Sequence, residues 1–161
     1  MLTSVVEFIR YFKRVRARTL HFIEALPAER LDWSPQAGEY TCGDIARHLA
    51  AVERMDVEAA LGAGWHYGGH DRALADDLTG MRAYLAQSHT QAMARLGTLP
   101  DAELAARRAD LEGNPVAVWR ILMAMVEHEV HHRSQLATYL ALMGIRPPQL
   151  FGVHMEALPR D

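Results

Sequence analysis

Apolar side chains recur along this chain every three to four residues, and the strict alternation of a half-buried strand is nearly absent. Leu2, Val5, Val6, Ile9, Phe12, Leu20 and Ile23 share one face of a helix expected over residues 2–25, which Pro27 ends. Arg16, with Lys13 beside it, interrupts the middle of that stripe. The ordinary reading is a long side chain that snorkels outward, and the sharper one is a cation reaching an interior site. After a connector from Pro27 to Tyr40, the run Thr41-Cys42-Gly43-Asp44 resembles a capping box. It opens a second helix reaching about Leu61, with Ile45, His48, Val52, Met55 and Ala59 on one face and Glu53, Arg54 and Glu58 pointing elsewhere. Residues 62–74 hold four glycines with Trp65, His66, Tyr67 and His70, and read as a loop. A third helix is expected over 75–96, weakened or kinked at Gly80 and stopped by Gly97. Past a connector over 98–114, Asn114 reads as an N-cap and Pro115 as the first helical position. That fourth helix should run to about Met143, where Gly144 and then Pro147-Pro148 end it.

The joints between helices are long, about 13–17 residues where tight antiparallel turns use roughly 2–8. A 13-residue joint extends ~43 Å, more than a 22-residue helix at ~33 Å, so neighbouring helices are free to run parallel. The segments Leu26-Pro27-Ala28-Glu29-Arg30-Leu31 and Leu99-Pro100-Asp101-Ala102-Glu103-Leu104 echo one another, each before a long joint and a helix with inward histidine. The pattern specifies an all-α four-helix bundle in one domain over residues 1–161.

Composition narrows the function classes. The 161 residues are 50% hydrophobic and 23% charged, ordinary for a globular protein. A net charge of −3 gives no footprint of a nucleic-acid partner. No run reaches the ~18 uninterrupted apolar residues of a membrane span. Glu7 arrives too early for a signal core, so the expected location is the cytoplasm. The single cysteine, Cys42, excludes an internal disulfide and a CxxC zinc site. It lies at a helix start, where the dipole favours a thiolate, but a small residue in a capping turn is the simpler reading.

Nine histidines carry the main chemical signal. In Glu127-His128-Glu129-Val130-His131-His132, His128 and His132 are one turn apart on a face shared with Ile121, Met125, Gln135 and Tyr139. That face points into the bundle, with His131 at its flank and Glu127 and Glu129 diverging to either side. His48 is the inward histidine of the second helix. One inward histidine is ordinary, but three buried imidazoles without a shared partner cost several kcal/mol. A divalent transition metal on His48, His128 and His132 removes that cost. Three neutral imidazoles suit Zn²⁺, Ni²⁺, Fe²⁺ or Cu²⁺, with Zn²⁺ or Ni²⁺ foremost, and disfavour Mg²⁺ and Ca²⁺. Three protein ligands also leave positions open, as in catalytic sites.

The run from His128 to Leu136, then Tyr139-Leu140 and Met143-Gly144, resembles the C-terminal signature of the DinB-like proteins. This is a damage-inducible bundle family that includes YfiT-like hydrolases and thiol-dependent S-transferases. Thr41 through His48-Leu49 is similar to the family's first metal motif, and Trp33-Ser34-Pro35 fits its connector. Ser134 departs from the glycine many members carry. The resemblance implies an up-down-down-up bundle, a divalent metal on the three histidines, a homodimer, and a low-molecular-weight thiol such as bacillithiol, mycothiol or glutathione. The expected activity is a metal-dependent small-molecule S-transferase or hydrolase; the alternative is a non-catalytic metal-binding stress-response protein. Glu129 is the candidate catalytic residue, and Glu129 or Glu127 the candidate to orient a ligand histidine. The Gly-rich loop is a candidate lid, weighed against an ordinary surface loop, with His66 or His70 as less favoured extra ligands. The H-E-x-x-H pattern also matches zinc proteases. Gln135 and Thr138 stand where the extended protease motif needs glycine and histidine, and a later carboxylate ligand would have to be Glu156.

Overall fold

A computed structural model describes residues 2–150, 152 and 157–159; Glu156 lies outside them. Four long helices account for most of the chain: α1 (Val5–Glu24), α2 (Cys42–Ala60), α3 (Leu78–Leu96) and α4 (Val118–Leu142). Local chemistry sets their starts. The Asp44 N–H donates to Thr41 Oγ1 at 3.1 Å and the Thr41 N–H to Asp44 Oδ2 at 3.0 Å, the reciprocal box expected for α2. The Asp77 carboxylate caps α3 through the Gly80 N–H at 2.7 Å. Gly80 therefore lies in the first turn of α3 and is not a mid-helix kink. The two echoing Leu-Pro segments each lead into a short 3-10 turn, Ala28–Arg30 and Asp101–Ala105.

The start of α4 differs from the sequence expectation. Asn114 and Pro115 belong to a small antiparallel hairpin of β1 (Arg107–Ala109) and β2 (Pro115–Ala117), with Arg108 opposite Val116. Asp110 organises the turn: its Oδ1 accepts the N–H groups of Glu112 at 2.9 Å and Asn114 at 2.8 Å, and Gly113 takes φ +89°. The helix begins only after β2, where the Val118 N–H donates to the Ala106 carbonyl at 3.0 Å.

Side-chain pairs fix the directions. The first turns of α1 share an apolar cluster with the end of α2 (Val5 and Phe8 with Val57 and Ala60), and its last turns share the other with the start of α2 (Phe22 and Ile23 with Cys42 and Ile45). These helices are antiparallel. Gly43 approaches Met81, Arg54 reaches Tyr84 and Ser88, and Glu58 pairs with Arg95, so α2 and α3 run parallel. Val118 joins the cluster at the start of α1 and Leu140 the cluster at its end. The topology is up-down-down-up, and the long connection between α2 and α3 returns the chain to the end where α2 began.

The core is split in two. One apolar cluster gathers Phe8, Phe12, Val57, Leu96, Ile121 and Met125; the other gathers Ile23, Ile45, Leu49, Met81, Leu85 and Leu136. Every long helix passes from one cluster to the other. At the crossover lie Arg16 on α1, His48 and Glu53 on α2, His89 on α3, and His128, Glu129 and His132 on α4. A polar layer thus crosses the middle of the bundle.

Candidate metal centre

His48 comes from the middle of α2 and His128 and His132 from successive turns of α4. One ring nitrogen from each lies within 4.8 Å of the other two. His48 Nε2 and His128 Nε2 are 3.0 Å apart, and the ring centroids of His128 and His132 are separated by 4.4 Å. Tetrahedral bonds of ~2.0–2.1 Å place two ligand nitrogens about 3.3 Å apart, close to the first of these distances. The all-nitrogen donor set fits a transition-metal ion and not an oxygen-seeking one. The three-histidine group could therefore hold a metal ion.

Hydrogen bonds behind the rings select the nitrogens. The Tyr139 O–H donates to the Tyr40 carbonyl at 3.1 Å, so its oxygen accepts from Gln135 Nε2 at 3.2 Å. That orients Gln135 Oε1 toward His132 Nδ1 at 2.9 Å, where only a protonated Nδ1 can donate. The lone pair of His132 is then on Nε2. On the other side, Tyr67 Oη sits 2.7 Å from His48 Nδ1 and 2.6 Å from His70 Nδ1. A proton on His48 Nδ1 donates to Tyr67, which passes its own to His70, and His48 Nε2 is left as a ligand atom. Gln135→Ala is expected to lower metal affinity about 10–100-fold, measured by competition against a chromogenic chelator.

Burial holds the rings neutral. It is the main cause that pulls His48 down to about 4, followed by the nearby His132 and His70. Burial likewise pulls His128 down to about 3, helped by His132, His48, His131 and Arg16. His132 is lowered by burial, with the Gln135 bond opposing. Neutral imidazole is the form that ligates. The sign for the metal-free protein follows: between these folded values and the ordinary 6.5, the unfolded chain binds more protons. Stability from this source is therefore full above pH ~6.5 and falls as the pH drops toward 4. Asp56 acts oppositely, because burial and then the Glu53 carboxylate raise it to about 7, so the folded state takes its proton first. The histidine contribution is isolated by comparing urea midpoints of the metal-free protein and its His128→Ala variant; the variant should lose less stability from pH 7 to pH 5.

The other candidates fall elsewhere. Glu129 is buried, with Oε2 at 3.2 Å from Arg16, and is not among the three-residue group; Glu127 and His131 are exposed. The partners that orient ligand rings are Gln135 and Tyr67, not the two glutamates. A general base at Glu129, as the protease pattern requires, would have to leave Arg16. His66 bonds the Ala63 carbonyl at 3.0 Å and His70 is engaged by Tyr67, so neither supplies a further ligand here. The loop carrying them does lie against the centre. Cys42 is fully buried and its thiol is pushed up to about 11, so it is no thiolate. Arg16 reaches the interior: its Nη2 donates to Glu53 Oε2 at 2.6 Å, and Glu53 Oε1 meets His89 Nδ1 at 2.6 Å. Sequence reasoning missed Glu53 because α2 carries seven charged or histidine positions, and spacing alone does not tell which of them face a neighbouring helix.

A parallel α2–α3 pair within an up-down-down-up bundle, with a three-histidine centre across α2 and α4, defines a bundle protein with a candidate metal site. The DinB family model matches residues 1–159, and the chain belongs to that family. A DinB-like protein from Bacillus cereus superposes with a TM-score of 0.78 at 18% identity, covering 93% of this chain and 99% of its own. Another, from Bacillus subtilis, gives 0.71 at 17% identity, covering 89% and 96%. At these identities the likeness concerns the fold. Comparison with curated proteins finds no match. Among the described residues, no helix is long and apolar enough to cross a membrane.

Proposed function

We propose that the chain is a metal-dependent enzyme acting on a small molecule, an S-transferase using a low-molecular-weight thiol or else a hydrolase. The observation that carries this reading is an opening beside the histidines. His48 and His128 form part of the wall of a largely apolar cavity of roughly 340 Å³. A closed structural site would have no such space. A divalent ion held by His48, His128 and His132 would supply a Lewis acid that lowers the pKa of a bound thiol or water. The chain's own residues do the rest. Gln135 and Tyr67 hold two of the rings with a lone pair facing inward, and the apolar wall offers a surface for the apolar part of a substrate. A homodimer and a cytoplasmic location belong to the same proposal, and light scattering showing only ~18 kDa at all concentrations would remove the dimer.

The test is metal analysis of the purified protein, followed by a screen of bacillithiol, mycothiol and glutathione against 1-chloro-2,4-dinitrobenzene and of ester hydrolysis. Turnover that disappears with a chelator and returns with Zn²⁺ or Ni²⁺ supports the enzyme. Stoichiometric metal without turnover of any substrate favours the metal-binding stress protein.

A further inference from the structure

The cavity beside the histidines contains one charged group that the proposed chemistry does not use. Asp56 lies on α2 two turns beyond His48, and with Val52, Met55, Trp65 and Leu111 it lines the same space as His48 and His128. It is 6% exposed. Among the described residues its carboxylate has no hydrogen-bond or ion-pair partner, and the charge that acts on it is the like charge of Glu53. The arginines of the polar layer and of α2 are committed elsewhere. Arg16 is bound to Glu53 and Glu129, Arg47 to Asp44, and Arg54 to Tyr84 and Ser88. A carboxylate in an apolar wall without a counter-charge is costly to the fold. Below pH ~7 the empty cavity relieves that cost by holding Asp56 protonated, and a cation that enters beside it favours the carboxylate instead.

The rim has the matching character. Trp65 is held over the cavity by an Nε1–H bond to the Ala109 carbonyl of β1 at 2.7 Å, which ties the Gly-rich loop to the hairpin. Leu111, in the hairpin turn, is 72% exposed and also faces the cavity. Apolar walls and rim with one interior carboxyl, which ionises beside a cation, suit a ligand with an apolar body and a single positive charge.

We propose that this cavity is the substrate pocket of the histidine centre and that Asp56 selects small ligands carrying a cationic nitrogen on an apolar body. The inference rests on the enzyme reading above only in calling the occupant a substrate; the recognition itself needs no metal. Asp56 is thus a specificity-determining residue, while the three histidines hold the reactive end.

Phenethylamine and 2-phenylethanol, alike in apolar body and differing in charge, are the probes. Their binding to the full-length protein is measured by calorimetry at pH 8, where Asp56 is ionised and the amine still protonated, before and after removal of metal with a chelator, and again with Asp56→Asn. Asn fills the same space without the charge. The amine should bind at least about tenfold more tightly than the alcohol, and Asp56→Asn should remove most of that preference while changing alcohol affinity little. The preference should persist after metal removal. Equal affinities for amine and alcohol, no binding of either, or a preference that survives Asp56→Asn would each overturn the inference. So would a preference lost with the metal, since the nitrogen would then be on the ion. The amine-to-alcohol comparison in the unmodified protein stands even if the variant fails to fold. Absence of turnover leaves this binding result untouched, so the two readings fail separately.

Discussion

Arg16→Met is expected to destabilise the protein by about 3–5 kcal/mol, the range for removing one partner of a buried ion pair. Methionine fills much of the same apolar space, so little of the loss comes from packing. What remains is electrostatic. Glu53 and Glu129, whose side chains are 1% and 2% exposed, meet Arg16 Nη2 at 2.6 and 3.2 Å. Without the guanidinium, two carboxylates face one another in the middle of the bundle, and either their protonation or water entry must follow. Urea unfolding at pH 7 measures the cost. Replacing all three together, with Glu53→Gln and Glu129→Gln, should recover most of it, because the desolvation cost of the charges disappears with them. A loss below about 1 kcal/mol for Arg16→Met would show that the layer is more hydrated than its burial indicates.

His128→Ala is expected to abolish metal binding, by at least roughly 100-fold in affinity, and all turnover with it. The fold should survive. Alanine is the best helix former, and α4 keeps Ile121, Leu122, Met125, Leu136 and Leu140 in the two apolar clusters. The loss of a half-buried ring that has no hydrogen-bond partner other than His48 Nε2 leaves no buried orphan behind except that nitrogen. Far-UV circular dichroism and metal content measured on the same sample separate the outcomes. A folded, metal-free variant supports a functional centre; an unfolded one indicates that the ion is structural.

The four helices were legible because each repeats its apolar residues at helical spacing, and the metal candidates because two histidines one turn apart and a third inward one leave few alternatives. Three other features were not. The start of α4 was misplaced because Asn114-Pro115 is a helix-start dipeptide and a hairpin dipeptide alike; the difference lies in Asp110 and Gly113, which build the turn that leads into it. The polar layer was missed because a helical wheel assumes one wet side. Helix α2 packs against α3 and α4 and faces α1 across the core, and 14 of its 19 residues are buried, so Glu53 meets Arg16 rather than water and Asp56 faces only the cavity. Tyr67 was beyond sequence reasoning for another reason. Its position over His48 depends on where a long loop folds back, and no local spacing encodes that.

X-ray absorption on the protein loaded with one equivalent of Zn²⁺ tests the central claim most directly. The account predicts about three histidine nitrogens at ~2.0–2.1 Å, and a change in that coordination on His48→Ala, which lies on a different helix from the other two ligands. A spectrum without histidine ligation, or one that His48→Ala leaves unchanged, would contradict it.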